Sequence, residues 1–201
     1  DTAFGHQRQG TYAHLCSKAA DLGVTFRQAP AEYLDGKRVS TTLVRQALCD
    51  GDLAGLERLL GRRFGVLGRV VRGRGRGRAL GFPTANLDVG GVALPPRGVY
   101  FAEVERRGST AESPASDRLG AVLNIGLRPT FEGQPGSGSQ ESVEAHLVDF
   151  SGDLYGEVLE VRFLARHRDE VRFPSVSDLV EQIRRDVAAF RETWSAAGSR
   201  H

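Results

Sequence analysis

The residues best suited to chemistry lie in one stretch, Gly73-Arg74-Gly75-Arg76-Gly77-Arg78-Ala79-Leu80-Gly81-Phe82-Pro83-Thr84-Ala85-Asn86-Leu87. Pro83 fixes its own φ and holds the residues after it extended, so Thr84 and Asn86, two positions apart, project to the same side. A hydroxyl and an amide carbonyl then face one point. Both are hard oxygen donors, the type Mg²⁺ accepts beside waters and phosphate oxygens. The glycines before them make a loop whose backbone N–H groups can come close to phosphate, and guanidinium forks match phosphate oxygens. These residues describe a metal–nucleotide site without a Walker A motif.

Charge placement points the same way. The chain carries a net charge of only +2, yet no acid falls between Glu57 and Asp88, where Arg58, Arg62, Arg63, Arg69, Arg72, Arg74, Arg76 and Arg78 all lie. An anionic ligand is expected to dock there. Alternating Arg and Gly equally suits an RNA backbone, but a single-strand binder interleaves aromatic with basic residues, and Phe64 and Phe82 are the only aromatics in the interval. Small anions, not nucleic acid, are therefore the expected partners.

The elements that must position these groups follow from the apolar pattern. With 201 residues, 40% hydrophobic and 26% charged, the chain has the makeup of a soluble protein of one or two domains. It has no apolar run of the roughly 18 residues that span a bilayer and no secretory layout at its start, so no membrane partner and a cytoplasmic location are expected. Cys16 and Cys49 stand in no CxxC or Cys/His cluster, so both read as free thiols. From Phe64 onward, short apolar runs alternate with turn residues, which predicts strands over Phe64–Val71, Val99–Arg106, Leu119–Ile125, Ser142–Phe150 and Val158–Arg166. So many strands without intervening helices imply an antiparallel sheet or barrel. Ser109–Arg118 and Glu132–Gln140 read as loops between strands. Val176, Leu179, Val180, Ile183, Val187, Phe190 and Trp194 recur at helical spacing behind a Ser175–Asp178 capping box, so one long helix should pack on the barrel.

Before Phe64 the pattern is different. Tyr12, Leu15, Cys16, Ala19 and Leu22 share a helical face, and Val24–Gln28 after Gly23 reads as a strand. Ser40 or Thr41 can cap a helix running to about Leu48, and Asp52 can cap another ending at Gly61. Residues 1–61 therefore read as a partial α/β segment with linking helices, and 62–201 as the barrel domain with its helix.

Gly77–Leu87 resembles the signature of the riboflavin kinase family, with Pro83-Thr84-Ala85-Asn86 at its centre. Further segments are similar to the same family in the same order: Arg97–Tyr100, Asn124–Phe131, Val143–Leu147, Asp153–Gly156 and Arg168–Glu170. The resemblance implies a mainly β fold, a six-stranded antiparallel Greek-key barrel with a C-terminal helix. It also implies a kinase that phosphorylates riboflavin to FMN with ATP and Mg²⁺. Under it, Thr84 and Asn86 hold the metal; Gly75, Gly77, Arg78 and Gly81 join them around the nucleotide. Glu144 is the catalytic base, and Arg168, Glu170 and Phe173 flank the flavin. Glu144 suits that role, because it points opposite Val143, Ala145 and Leu147 and so occupies the polar face of its strand. His146 shares that face and is expected to be exposed or hydrogen-bonded, not half of a catalytic dyad. The alternative is a non-catalytic flavin- or nucleotide-binding barrel, or an RNA-binding one.

Asp1–Gly10 and Val39–Arg45 are similar to the late part of the FMN adenylyltransferase module of bacterial bifunctional FAD synthetases. In that family the Ser/Thr-rich turn touches ATP phosphates, which assigns Ser40, Thr41 and Arg45 to a vestigial phosphate site; plain helix capping by Ser40 or Thr41 competes with it. No His-x-Gly-His signature occurs in the sequence, so this chain alone is expected to make FMN and not FAD.

Overall fold

The computed structural model describes residues 5–27, 29–107, 118–127 and 141–198. The chain divides into two compact units, Asp1–Val39 and Ser40–His201.

In the first unit, a short 3₁₀ turn at His6–Arg8 leads to α1, Tyr12–Asp21, whose N-terminus Thr11 caps by accepting from the His14 N–H. A hairpin follows, β1 (Tyr33–Leu34) paired with β2 (Lys37–Arg38). Asp35 and Gly36 turn it with φ of 51° and 74°, the two positive values that a two-residue type I′ turn demands and that Asp-Gly supplies. The strand expected over Val24–Gln28 is not formed: residues 24–27 are irregular, and Gln28 lies outside the described residues. Val24 and Phe26 are exposed, and among the described residues no strand pairs with this segment to supply the backbone hydrogen bonds a ladder needs. The Val24 N–H instead bonds the Ala19 carbonyl and closes the end of α1.

The second unit opens with α2 (Thr41–Asp50), capped by Ser40, and α3 (Leu53–Leu60), capped by Asp52 and ended by left-handed Gly61. Six strands then close a barrel: β3 (Gly65–Val71), β4 (Ala85–Asp88), β5 (Gly98–Arg107), β6 (Leu119–Leu127), β7 (Glu141–Leu147) and β8 (Val158–Arg168). Their order around the barrel is β3-β4-β7-β6-β5-β8, all antiparallel. The meander β5-β6-β7 with β8 returning beside β5 is the Greek key the family resemblance implies. A helical turn, α4 (Arg76–Ala79), interrupts the Arg-Gly loop between β3 and β4. The loops expected over Ser109–Arg118 and Glu132–Gln140 lie, apart from Arg118, outside the described residues.

Strand alternation sorts the side chains into two sets. Val66, Val70, Leu87, Tyr100, Val104, Leu123, Ile125, Val143, Leu147, Leu159, Val161 and Phe163 fill the barrel. On its outside, Val99, Phe101 and Val122 pack under α5 (Val176–Gly198), which contributes Val187 and Phe190, with Ile183 and Trp194 beside them. Gly120 makes this seat possible, since a Cβ there would fall 2.3 Å from Phe190 Cζ. At the start of α5 the Asp178 N–H donates to Ser175 Oγ, the cap its sequence predicts.

Candidate active site

The strand register assembles a row of residues that the sequence scatters. Val71 pairs with Asn86, Asn86 with Glu144, Glu144 with Asn124, Asn124 with Val99, and Val99 with Arg168. Because Leu87, Val143, Ala145, Leu123 and Ile125 fill the barrel, the row runs around its outer face. Neighbours in such a row stand about 4.8 Å apart. Glu144 therefore has Asn86 on one side and Asn124 on the other.

The loop between β3 and β4 folds over the Asn86 end. A cavity of about 490 Å³ is lined by Arg72, Gly73, Arg74, Gly75, Arg76 and Gly77 from that loop, by Thr84 and Asn86, and by Leu127, Ser142 and Glu144. A second, of about 330 Å³, shares Gly73, Gly75, Thr84 and Asn86 and extends past Arg78 to Phe150, Leu154 and Tyr155. Thr84 and Asn86 thus face common space, as their spacing after Pro83 predicts. The loop lies very close: a Cβ on Gly73 would sit 2.1 Å from Asn86 Nδ2, and one on Gly77 would sit 2.4 Å from the Phe82 carbonyl oxygen and 3.0 Å from Thr84 Oγ1. Side chains at either position would hold the loop off the two oxygen donors. Gly81, with φ of 85°, lines neither cavity and turns the chain from α4 toward Phe82. Arg72 lines the first cavity, and its guanidinium stands 5.4 Å from the ring centre of Tyr155, which lines the second, a cation–π distance.

At the other end of the row, Asn124 Nδ2 donates to Glu170 Oε1 at 3.3 Å, and Glu170 folds over Gly126, where a Cβ would meet that oxygen at 2.4 Å. Arg168 is turned to α5. Its Nε and Nη2 donate to the carboxylate of Asp186, Nη2 at 2.7 Å, and its Nη1 donates to the Asp169 carbonyl. Asp186 is only 2% exposed and also receives Gln182 Nε2, with His167 Nε2 at 3.2 Å. Burial alone would raise the Asp186 pKa, but the hydrogen bonds from Arg168 and Gln182 and the adjacent charges outweigh it and hold the carboxyl below its ordinary value. Phe173 lies against Arg168, ring centre 5.9 Å from the guanidinium carbon. Ser40, Thr41 and Arg45 occupy the first turns of α2; Ser40 Oγ accepts from the Leu43 N–H, and none of the three lines either cavity.

Sequence reading overlooked Ser142, which lines the first cavity two residues before Glu144 and was legible from the period of two along β7. The contact of Asn124 with Glu170 and that of Arg72 with Tyr155 were not legible, because the tertiary fold brings each partner in.

The donors fit a divalent cation held jointly with phosphate. Thr84 and Asn86 supply hard oxygen atoms, Gly73 leaves open the space beside Asn86 that a Cβ would fill, and no cluster of three His, Cys, Asp or Glu exists among the described residues. That is the donor set of Mg²⁺, which keeps waters and shares substrate phosphates instead of taking an all-protein cage.

A Greek-key barrel carrying oxygen donors, one carboxylate and a cationic glycine loop around a single cavity is a framework for phosphoryl transfer to a small molecule. The chain belongs to the riboflavin kinase family: residues 60–194 match the family model described as Flavokinase, riboflavin kinase. It is similar to the bifunctional riboflavin kinase/FMN adenylyltransferase of Haemophilus influenzae, 37% identical over 93% of this chain and 57% of that protein. The protein of the same name from Escherichia coli K12 is 40% identical over 96% of this chain and 58% of its own length. The chain thus spans less than two thirds of the curated relatives it matches. A crystal structure from Streptococcus pneumoniae, described as a macrolide-efflux protein, aligns with a TM-score of 0.70 and 31% identity over 95% of this chain and 58% of that one. Among the described residues no helix is long and apolar enough to cross a membrane. The barrel and the membership of the riboflavin kinase family expected from the sequence are borne out.

Proposed function

We propose that this chain phosphorylates riboflavin at Glu144, with MgATP on the Thr84–Asn86 side and the flavin on the Asn124–Glu170 side. The observation that carries this reading is the row Asn86, Glu144, Asn124, which sets the carboxylate between the two groups of candidate ligands. Thr84 Oγ and the Asn86 carbonyl would hold Mg²⁺, which when bound neutralises charge on the transferred phosphoryl oxygens. Gly73, Gly75 and Gly77 bring backbone N–H groups and the arginines between them over the phosphates, while the cavity reaching Tyr155 has the apolar walls a nucleobase needs. Arg78 lines that cavity, and Gly81 serves by turning the loop back.

Glu144 accepts the proton of the ribityl primary hydroxyl as its oxygen attacks the γ-phosphorus; the bond from that phosphorus to the β,γ-bridging oxygen breaks and ADP leaves. Little covalent work falls to the protein, and positioning supplies most of the rate. Glu170 and Phe173 would contact the flavin, and Arg168, whose guanidinium is engaged by Asp186, would act by fixing the Asp169–Glu170 segment between β8 and α5. Ser40 and Thr41 serve as helix cap and first turn here, and a phosphate role for them with Arg45 would belong to adenylyl transfer. A cytoplasmic location, where ATP is supplied, agrees with this chemistry.

Incubation of the chain with riboflavin and MgATP, followed by chromatography of the flavins, tests the reading. FMN without FAD is the expected product, and Glu144→Gln should lower kcat by at least ~100-fold with MgATP binding retained. Riboflavin binding without turnover would favour the non-catalytic barrel. A Glu144→Gln variant within a few-fold of wild type would remove Glu144 as the base.

A further inference from the structure

His146 lies outside both cavities' linings, yet it touches the backbone that aims Thr84. Its Nδ1 is 2.9 Å from the Pro83 carbonyl oxygen. A carbonyl only accepts, so Nδ1 carries the proton and donates. The imidazole also meets the Phe82 ring edge-on, with centres 5.5 Å apart. On the other side of the same segment, the Phe82 N–H donates to the Gly77 carbonyl at 2.8 Å. Phe82 and Pro83 are therefore gripped from β7 by a side chain and from the Arg-Gly loop by the backbone.

We propose that His146 is a positioning residue for the nucleotide end of the site: its hydrogen bond to the Pro83 carbonyl sets the peptide that leads into Thr84 and thereby the direction of Thr84 Oγ. The physical need is plain from the sequence. Pro83, two residues before β4, has no N–H with which to join the ladder, so its own peptide nitrogen cannot fix it by strand pairing. The first ladder partner of this segment is Ala85, opposite Ala145. Between the loop's anchor at Phe82 and that pair, the hydrogen bond from His146 to the Pro83 carbonyl tethers the segment. His146 and Glu144 sit two apart on one strand face, so one strand fixes both the base and the peptide before the nucleotide donor. Loss of the tether leaves Thr84 free to swing by the ~1 Å that costs phosphoryl-transfer geometry about 100-fold when fully realised; a loosened segment that still samples the right position should lose about 10-fold.

The inference rests on the proposed role of Thr84, and the experiment separates the two. MgATP affinity is measured by calorimetry, and KM and kcat by FMN formation, for wild type, His146→Ala, His146→Asn, Thr84→Ala and the Thr84→Ala/His146→Ala pair. Asn is chosen because its Nδ2 can replace Nδ1 as donor. The expected results are an MgATP Kd and KM raised about 10-fold in His146→Ala with riboflavin KM within twofold, recovery to within about threefold in His146→Asn, and less than a twofold further loss from His146→Ala in the Thr84→Ala background. The proposal is overturned if His146→Ala binds MgATP like wild type, if His146→Asn is as impaired as His146→Ala, or if the His146→Ala loss is undiminished without the Thr84 hydroxyl. Unaltered MgATP binding in Thr84→Ala alone would instead overturn the role of Thr84, which is a different failure. Thermal melting of each variant guards against unfolding: His146→Ala melting like wild type while losing MgATP affinity supports positioning, and equal losses of MgATP and riboflavin affinity would refute it.

Discussion

Gly73→Ala asks whether the Arg-Gly loop must lie against Asn86 for the reaction to run. The added methyl carbon would fall 2.1 Å from Nδ2 and 2.5 Å from Cγ of Asn86, where nonbonded carbon contacts settle at about 3.5–4.0 Å. Relief takes more than ~1 Å of movement. Asn86 is 8% exposed and held in β4 between Val71 and Glu144, so the movement falls largely on the loop, which lifts away from the oxygen donors. A displacement of that size costs about 100-fold in kcat/KM, or about 2.7 kcal/mol of transition-state stabilisation. The backbone at Gly73 does not lie in the left-handed region, and the loop is exposed, so alanine should shift the melting temperature by no more than ~3 °C. Steady-state FMN formation, MgATP calorimetry and a melting curve decide the matter. A variant that melts normally, binds MgATP normally and keeps kcat/KM within threefold of wild type would refute the close-approach argument.

Asn86→Asp adds a negative charge at the donor pair, so the Mg²⁺ concentration for half-maximal activity should shift at least ~3-fold, and an unchanged metal titration removes Asn86 from the ligand set. Tyr155→Ala should raise the KM for MgATP about 5- to 10-fold and leave that for riboflavin unchanged, since Tyr155 lines only the cavity assigned to the nucleoside and carries Arg72; equal effects on both would place the nucleoside elsewhere. Asp186→Asn leaves the Arg168 guanidinium without its carboxylate, and with that side chain 21% exposed the cost should fall near the lower end for buried pairs, about 3 kcal/mol, read as a melting temperature lower by about 10 °C. The same carboxylate predicts acid sensitivity. Its pKa is held down in the folded chain, so its contribution is complete above the unfolded value of ~3.9 and is lost as pH falls below it. Wild type should therefore lose stability more steeply than Asp186→Asn as pH falls below about 4, and parallel pH profiles would contradict this.

Much of the barrel was legible because a strand with one face in the core writes its period into the sequence. Val143, Ala145 and Leu147 alternate with Glu144 and His146, and β7 follows, ending before Asp149, whose φ of 60° stops the strand. β4 was not predicted as a strand: four residues, Ala85–Asp88, show too little alternation, and only its ladder with β3 and β7 makes it one. The turn of helix at Arg76–Ala79 was hidden for the opposite reason, because Gly77 inside it argues against a helix, and the bond from the Leu80 N–H to the Arg76 carbonyl is accompanied by one from the Phe82 N–H to Gly77 that local propensity does not foretell. Val24–Phe26 had strand composition and, among the described residues, no strand to pair with, so the composition was not enough.

For the site, residue type and local spacing determined which groups could do chemistry. Pro83 with Thr84 and Asn86, the glycines before them and the outward face of Glu144 are local facts, and local stereochemistry aims each side chain relative to its own strand. The sequence also identified the family. What only the tertiary structure decided is adjacency: that Glu144 stands between Asn86 and Asn124, that Gly73 presses on Asn86, that His146 holds the Pro83 carbonyl, and that Arg168 is turned to Asp186. Register between distant strands is set by the packing of all the inward faces at once, and a slip of one residue would put every outward group in this row on the wrong side.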